Sequence, residues 1–355
     1  MERLTNGAKF AEYRLIKCVG KGAFGSVWSA QKDGSETDYA IKVEDPKVAK
    51  SIIHEEAEIA EIVSKSSAFP KYFGKGEFSG LKYYVIELLG LSVRTFQENH
   101  PAGILPLSEV GRLGVCLLRA IRDFHNFGFV HRDIKPSNFV FRDHPSNLDI
   151  CLIDFGLAKR WRSLDGTEIY PQREKVGFRG TSRYASLNSH KELDLGRRDD
   201  LYSLFYLLIE FTAPPLPWKN QSEKNSIAQI KQRGVSRLCV GLPPQFESFY
   251  NHISSLQFAD DPDYEYLEKI LGDIKELGDV EGGGSQFGVS LAAQFGSMSL
   301  IVAPNSGSVI GSSTIAECSW GAVVVPNEIN ETDNPTQHQH YPQSNNADKG
   351  CCIIL

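Results

Sequence analysis

Apolar and polar residues alternate along the first part of the chain, as far as Gly90, and glycines separate the alternating runs. A period of two is typical of β-strands with one buried face, and glycine is common in the turns between them. The pattern predicts an antiparallel sheet with strands over residues 13–18, 26–31, 39–43, 71–78 and 81–88. One helix is predicted between the third and fourth strands, over residues 50–64.

After Gly90 the apolar spacing becomes helical. Leu113, Leu117, Ala120 and Phe124 recur at helix spacing, and Gly128 stands where a left-handed C-cap is expected. A small sheet followed by a larger helical part predicts an α+β protein of two lobes, over residues 10–90 and 91–278. From residue 279 to residue 355 the chain is rich in Gly, Ser, Asn, Gln and Pro, which predicts a flexible acidic tail.

The charge is distributed unevenly along the chain. From Glu276 to the end there are eight acidic residues and one basic residue, which leaves 36 acidic and 37 basic residues before it. A body that is nearly neutral lacks the basic face that nucleic-acid binding requires, so we expect no nucleic-acid partner. The seven cysteines show no paired metal spacing, which favours free thiols in a reducing compartment.

A glycine-rich run lies between the first two predicted strands: Gly20-Lys21-Gly22-Ala23-Phe24-Gly25-Ser26-Val27. Glycines let a backbone approach nucleotide phosphates without a Cβ clash. The run alone is weak evidence, because tight hairpins and dinucleotide-binding folds also use it. A strand rather than a helix follows, which argues against a Rossmann site. In the next strand, Lys42 is placed to hold the α and β phosphates of a nucleotide.

Lys42 needs a carboxylate partner, and the predicted helix offers four: Glu55, Glu56, Glu58 and Glu61. Glu56 falls on the apolar stripe formed by Ile52, Ile59 and Val63. A carboxylate on an inward face is unfavourable unless it is paired. We therefore predict that Glu56 pairs with Lys42 and that the other three glutamates are solvated.

The strand over residues 81–88 leads into a segment whose backbone is predicted to bind the adenine edge, with Ile86 limiting the depth of the pocket. An ordinary buried strand is the alternative. The predicted nucleotide-binding residues are Gly20, Gly22, Gly25, Val27, Ala40, Lys42, Ile86, Glu87 and Leu89.

The strongest motif is His131-Arg132-Asp133-Ile134-Lys135-Pro136-Ser137-Asn138, followed sixteen residues after Asn138 by Asp154-Phe155-Gly156. The two motifs, in this order and spacing, are typical of the catalytic and metal-binding loops of protein kinases. Asp133 is predicted to orient and deprotonate a substrate hydroxyl. Asn138 and Asp154 are predicted to bind Mg²⁺. Lys135 is predicted to neutralise phosphate and to favour Ser/Thr over Tyr substrates, whereas His131 is predicted to be a packed structural residue.

Residues 10 to about 278 resemble the casein kinase I group of eukaryotic protein kinases, and within it most closely the tau-tubulin kinases. The resemblance is carried by Gly177-Phe178-Arg179, Gly180-Thr181-Ser182-Arg183-Tyr184-Ala185-Ser186-Leu187-Asn188, Arg197-Arg198-Asp199-Asp200-Leu201-Tyr202-Ser203-Leu204-Phe205, Leu216-Pro217-Trp218 and His252-Ile253-Ser254-Ser255-Leu256. The group usually has Ile at the position of Leu187, which changes no catalytic residue.

This resemblance implies a bilobal protein-kinase fold that uses ATP and Mg²⁺ and phosphorylates Ser/Thr of protein substrates in acidic or already phosphorylated contexts. It implies that Asp200 anchors the catalytic loop and that Thr181 bonds near Asp133. An anion site is expected among Arg173, Lys175, Arg179 and Arg183, with internal ion pairs as the alternative, above all for Arg183. Pairing of Arg132 with a phosphate at Ser163, Thr167 or Tyr170 is not expected, and we expect a monomer.

Cys352-Ile353-Ile354-Leu355 matches a prenylation box, and the final Leu favours geranylgeranyl. A single lipid binds membranes reversibly, so Cys351 is a candidate for a second acyl chain. We therefore expect a cytoplasmic protein associated with membrane through this lipid; a soluble kinase with a fortuitous ending is the alternative. A catalytically silent kinase-fold scaffold is the rival function, and the presence of Lys42, Asp133, Asn138 and Asp154 argues against it.

Overall fold

The computed structural model describes residues 4–277, apart from residues 23, 36, 50 and 214. Its N-terminal part is a six-stranded antiparallel sheet. The strands are β1 (Lys9–Phe10), β2 (Tyr13–Gly22), β3 (Gly25–Lys32), β4 (Asp38–Glu44), β5 (Tyr72–Phe78) and β6 (Leu81–Glu87). They are hydrogen-bonded in the order β1-β2-β3-β4-β6-β5, so β4 lies inside the sheet between β3 and β6.

One helix, α1 (Ile53–Val63), connects β4 to β5 and packs on β5 and β6. Successive side chains of a strand point to opposite faces of a sheet. On β4, Ile41 and Val43 therefore join a core with Trp28 on one face, whereas Ala40 lies on the other face in the core that includes α1. Lys42 shares the face of Ala40, so the strand period directs Lys42 towards α1.

The C-terminal part is mainly helical. Its helices are α2 (Val93–Glu98), α3 (Leu107–Asn126), α4 (Leu187–His190), α5 (Arg197–Thr212), α6 (Lys224–Gly234), α7 (Pro244–Ser255) and α8 (Tyr264–Glu276). Nearly every residue of α5 is buried, so this helix forms the centre of the lobe. The helix α3 packs on α5 and α8, and a Cβ on Gly111 would lie 2.4 Å from the backbone nitrogen of Lys275. Glycine is therefore required where α3 and α8 approach.

The C-terminal part also contains two short two-stranded sheets. Strand β7 (Phe129–Val130) pairs with β10 (Lys159–Arg160), and β8 (Phe139–Phe141) pairs with β9 (Ile150–Leu152). The segment 131–138 leaves β7 and enters β8, and Asp154 follows β9 after one residue. Paired strands thus hold the ends of both loops that carry the strongest sequence motifs.

The predicted α+β bilobal fold is confirmed, but some predicted element limits were wrong. Strand β2 extends to Gly22 and β3 begins at Gly25, so most of the glycine-rich run lies in a hairpin rather than in a loop. Helix α1 begins at Ile53, and its buried residues are Ile53, Glu56, Ala57, Ala60 and Val63. Of the predicted apolar stripe, Val63 is buried and Ile59 is half-buried, whereas Ile52 is half-buried and precedes the helix.

No helix in the described part of the chain is both long enough and apolar enough to cross a membrane. The predicted tail and the two cysteines near its end, Cys351 and Cys352, lie outside the described residues.

Candidate active site

The loop between β7 and β8 is held in place by hydrogen bonds to a buried carboxylate on α5. The two oxygens of Asp200 accept hydrogen bonds from the backbone N–H groups of His131 and Arg132, over 2.7 Å and 2.8 Å. Arg132 has a φ of 69°, in the left-handed region that non-glycine residues rarely adopt. The two charge-assisted bonds stabilise this turn of the backbone. Asp200 therefore occupies the anchoring position that the resemblance implied.

Asp200 is itself held by a histidine. His125 on α3 lies between the Asp200 carboxylate, at 2.9 Å, and the hydroxyl of Tyr264, at 2.5 Å. Burial acts to raise the pKa of Asp200, but the interactions with His125 and His131 together outweigh it, so the pKa is lowered. His125 and Tyr264 belong to the support of the catalytic loop, and both were missed in the sequence. For His125 the available signal was a histidine on the buried face of α3, in the last turn of the helix.

The Asp133 side chain accepts from two groups. Oδ1 accepts a bond from the Thr181 hydroxyl over 2.8 Å, and Oδ2 accepts one from the Lys135 ammonium over 2.8 Å. Asn138 donates from its amide nitrogen to the Asp133 carbonyl over 2.9 Å. These contacts bring Lys135, Asn138 and Thr181 together around Asp133, and two of them orient its carboxylate. His131 is fully buried and contacts the Ile153 carbonyl at 3.0 Å, which is the environment of a packed residue.

Between the lobes, Lys42 joins the sheet to α1 and to the loop after β9. Its ammonium donates to Glu56 over 2.5 Å and to Asp154 over 3.1 Å. The structure thus contains the Lys42–Glu56 pair that the helix period predicted, and the other three glutamates of the helix are exposed. Burial acts to lower the pKa of Lys42, but Asp154 and Glu56 together raise it well above its usual value. Burial likewise acts to raise the pKa of Asp154, and Lys42 and Lys135 together lower it. Lys42 and Asp154 therefore face each other as full charges.

Tyr84 completes this cluster and was also missed. Its hydroxyl donates to Glu56 over 3.0 Å. Tyr84 lies on β6 two residues before Ile86, so both side chains project from the same face of the sheet. Because Ile86 was placed in the pocket, the strand period was sufficient to place Tyr84 there too.

The glycines of the β2–β3 hairpin differ in the space that is available for a side chain. Gly25 has a φ of 155°, and a Cβ there would lie 2.0 Å from the Val43 carbonyl oxygen. Packing of the hairpin on β4 therefore requires Gly25. Gly22 lies opposite Gly25, and a Cβ on it would meet nothing within 4 Å. Of these two glycines, Gly22 is the one that borders open space. Gly20 pairs with Val27 in the same ladder.

The segment after β6 joins the two lobes. Ala40 and Ile86 are opposite each other in the sheet, and Ile86 and Leu89 are buried. The backbone N–H of Gly90 donates to the Phe141 carbonyl over 2.8 Å, which ties the segment to β8. Glu87 forms an ion pair with Arg142 of the C-terminal lobe, and its N–H donates to the Lys71 carbonyl over 2.9 Å. The Glu87 side chain therefore bridges the lobes, and its N–H is also bonded.

Asn138 and Asp154 meet the requirements of a magnesium ion that arrives with a nucleotide. The Ile153 N–H donates to the Asn138 carbonyl over 2.9 Å, so Asp154 directly follows a residue bonded to Asn138. Both side chains carry the hard oxygen ligands that Mg²⁺ prefers, and substrate phosphates and water usually supply the rest of its coordination. The described residues hold no cluster of three or more His, Cys, Asp or Glu that would bind a metal without such a ligand.

On the substrate side, the chain turns back over the catalytic loop at Gly180. This glycine has a φ of 88°, and a Cβ there would lie 2.5 Å from the Arg132 carbonyl oxygen. The close approach lets the next residue, Thr181, reach Asp133. Arg179 is exposed, and its guanidinium donates only to the neighbouring Phe178 carbonyl, over 3.0 Å, among the bonds of the described residues.

For Arg183 the structure shows the internal ion pair that was the alternative to an anion site. Its guanidinium forms an ion pair with Glu210 over 2.5 Å, and Glu210 is a buried residue of α5. Tyr184 donates to the other Glu210 oxygen over 2.5 Å. Arg183 is thus held by an internal pair, because a buried carboxylate requires a cation nearby. Arg173 is similarly paired, with Asp194 over 2.7 Å. Glu210, an acid within an apolar helix, was the signal for this pair.

The arrangement of paired lysine, catalytic aspartate and metal-binding loop between two lobes defines a protein kinase. A family model described as protein kinase domain matches residues 13–262, and the chain belongs to this family. It is 39% identical over 263 residues to a probable serine/threonine-protein kinase of Dictyostelium discoideum. That alignment covers 74% of this chain and 53% of the relative, so the chain spans about half the length of this relative.

A second relative is a probable casein kinase I homolog of Encephalitozoon cuniculi. It is 34% identical over 274 residues, with 74% of this chain and 85% of the relative covered. The predicted likeness to the casein kinase I group is thus supported by a relative, whereas the finer likeness to tau-tubulin kinases stays a prediction.

Proposed function

We propose that the protein is a serine/threonine protein kinase that transfers the γ-phosphate of ATP to hydroxyls of protein substrates. The observation that carries the proposal is the joint placement of two charge clusters. Asp133 is held by Lys135 and Thr181, and Lys42 is held by Glu56 and Asp154. Membership of the protein kinase family and the two relatives support the same activity.

In this proposal the protein mainly positions groups and offsets charge, which are the main contributions to phosphoryl transfer. Asp133 orients the substrate hydroxyl and accepts its proton as the new P–O bond forms and the bond to ADP breaks. Lys135 offsets charge on the transferred phosphoryl group, and Lys42 offsets charge on the α and β phosphates. Asn138 and Asp154 would hold Mg²⁺, which when bound neutralises phosphate charge.

The test is transfer of labelled phosphate from Mg²⁺–ATP to dephosphorylated casein, followed by identification of the phosphorylated amino acids. The wild type is expected to label serine and threonine. Lys42→Ala and Asp154→Asn each remove a charge that touches the nucleotide, and a loss of at least about a hundredfold is expected for each. Undiminished transfer in either variant contradicts the assigned site. A wild type that binds ATP and transfers nothing supports the silent scaffold instead.

We further propose that the enzyme prefers hydroxyls in acidic or phosphorylated contexts. A cavity of about 320 Å³ beside the substrate segment is lined by Arg94, Arg183 and Lys219, together with Glu210 and Glu98. The acids already have internal partners: Arg183 pairs with Glu210 over 2.5 Å and Arg94 pairs with Glu98 over 2.8 Å. In this cavity the exposed Lys219 is therefore the candidate partner for a substrate carboxylate or phosphate, and the exposed Arg179, which does not line the cavity, is a second one.

Two peptides test this preference, one with aspartates flanking the acceptor serine and one with alanines at the same positions. The acidic peptide is expected to have the higher kcat/KM, and Lys219→Ala is expected to reduce the difference about threefold to tenfold. Equal kcat/KM values for the two peptides contradict the preference.

The lipid on Cys352 also stays a prediction. Membrane fractionation of the wild type and of Cys352→Ser tests it, and equal partitioning of the two proteins contradicts it.

A further inference from the structure

Lys231 on α6 is a buried cation with unusual partners. The residue is fully buried, and its ammonium donates to the carbonyl oxygens of Ser182, over 2.8 Å, and Ala185, over 2.6 Å. It also lies over the rings of Tyr206, at 4.8 Å, and Trp218, at 5.0 Å. Within the described residues no carboxylate lies at ion-pair distance from it, and burial lowers its pKa well below the usual value. Burial of an ammonium group is unfavourable unless other interactions compensate for the lost water, and here the two carbonyls and two rings provide them.

Both carbonyls belong to the segment 181–185, which begins at Thr181. The carbonyls of Thr181 and Arg183 in this segment are bonded as well. Trp218 donates from its indole N–H to the Arg183 carbonyl over 2.8 Å, and the Thr181 carbonyl accepts from two backbone N–H groups within the segment. Lys231 and Trp218 therefore hold the outer side of the segment, while Thr181 contacts Asp133 on its inner side.

We propose that Lys231 is a positioning residue for phosphoryl transfer: it fixes the segment 181–185 so that Thr181 orients Asp133 and the protein substrate meets a rigid surface. The inference rests on the proposed kinase function, because it concerns the same reaction. It gives α6 a part in the reaction although Lys231 has no contact with Asp133 itself.

The proposal predicts different effects on the kinetic constants for the protein substrate and on those for ATP. Lys42, Glu56 and Asp154 form the nucleotide cluster, and none of them contacts the segment 181–185 through a bond of the described residues. Loss of Lys231 should thus affect the protein substrate and leave ATP binding intact. A purely structural lysine would instead lower the concentration of active enzyme, which reduces kcat for every substrate and changes no KM.

The experiment compares the full-length wild type with Lys231→Met and Lys231→Arg. Lys231→Met removes both hydrogen bonds to the segment, which corresponds to a fall in peptide kcat/KM of about tenfold to a hundredfold. The KM for ATP is expected to stay within about twofold of wild type. Lys231→Arg keeps a cation and its donors and is expected to recover most of the loss. Arg233→Met, which removes an exposed cation from the same helix, is the matched control and should match wild type.

All kinetic assays are run at least 10 degrees below the thermal midpoint of each variant, with active sites counted by ATP-analogue titration. If Lys231→Met does not fold, Lys231→Gln, which keeps a donor and removes the charge, takes its place with the same expected split. Peptide kcat/KM within threefold of wild type, or a parallel rise in the KM for ATP, overturns the inference. A wild type that transfers no phosphate to any peptide rejects the kinase proposal itself.

Discussion

The Tyr84 hydroxyl donates a hydrogen bond of 3.0 Å to the same Glu56 oxygen that accepts the Lys42 ammonium. Two donors from neighbouring strands of the sheet therefore hold one carboxylate of α1. Glu56 is buried, so each donor contributes to keeping its charge inside the protein. The position of Lys42 in the nucleotide site depends on this carboxylate.

Tyr84→Phe removes one of the two donors and leaves the ring in place. We expect a loss of about 1–2 kcal/mol in the free energy of unfolding and a fall of about threefold to tenfold in kcat/KM for ATP. Tyr83→Phe, on the opposite face of β6, is the control and should change neither quantity appreciably. Thermal unfolding and initial-rate kinetics at varied ATP concentration measure the two effects. Wild-type values for Tyr84→Phe would show that Lys42 alone holds Glu56.

The bond between Thr181 and Asp133 gives a second prediction. Thr181→Val keeps the shape of the side chain and removes the donor, so the Asp133 carboxylate loses one of its two orienting contacts. A fall in kcat of about tenfold is expected, with little change in the affinity for ATP. Thr181→Ser keeps the hydroxyl and should retain most of the activity. Equal losses in the two variants would mean that packing, rather than the hydrogen bond, is what Thr181 supplies.

The motifs and the apolar periods were sufficient to predict most of the site. Glu56 was predicted as the partner of Lys42 because the helix period places it on the inward face of α1. Asp133, Lys135, Asn138 and Asp154 lie in short motifs whose local backbone brings them together. In these cases the information lies within a few residues of each side chain.

Contacts between distant elements were not predictable in the same way. Lys231 bonds carbonyls of the segment 181–185, and nothing in its own helix indicates which backbone will pack against it. His125 and Tyr264 meet at Asp200 because three separate helices pack together. The ion pair of Arg183 with Glu210 was left open for the same reason. The ends of β2 and β3 were also not predictable, because they depend on how the two strands pair. The alternation of apolar and polar residues does not specify that pairing.

The two glycines that face each other in that hairpin provide a third prediction. Gly25→Ala places a Cβ 2.0 Å from the Val43 carbonyl oxygen, so the hairpin must move and a loss of about 2 kcal/mol or more in stability is expected. Gly22→Ala meets nothing within 4 Å and should leave stability within about 1 kcal/mol of wild type. Its effect is expected on ATP affinity, measured by calorimetric titration. Equal unfolding midpoints for the two variants would contradict the distinction.

Asp194 supports the segment that precedes Gly180 and yields a fourth prediction. Its buried carboxylate accepts from Lys159 over 2.6 Å and from Arg173 over 2.7 Å, so it joins β10 to this segment. Asp194→Asn removes the charge and should lower the free energy of unfolding by about 2 kcal/mol. Faster amide hydrogen exchange is expected over residues 172–176. Glu174→Gln, an exposed change in the same segment, is the control, and unchanged exchange in Asp194→Asn would contradict the prediction.

The pH dependence of stability gives the last prediction, through His190. Burial, together with the charges of Lys231 and Lys224, lowers its pKa to about 4 from an ordinary value of 6.5. Between these two values the unfolded chain binds a proton at His190 and the folded protein does not, so stability falls as the pH falls. We expect the urea midpoint of His190→Asn to change less between pH 7 and pH 5 than that of the wild type. His54→Asn, at an exposed site, controls for the loss of a histidine. Identical pH dependence in wild type and His190→Asn would show that His190 is not a source of the slope.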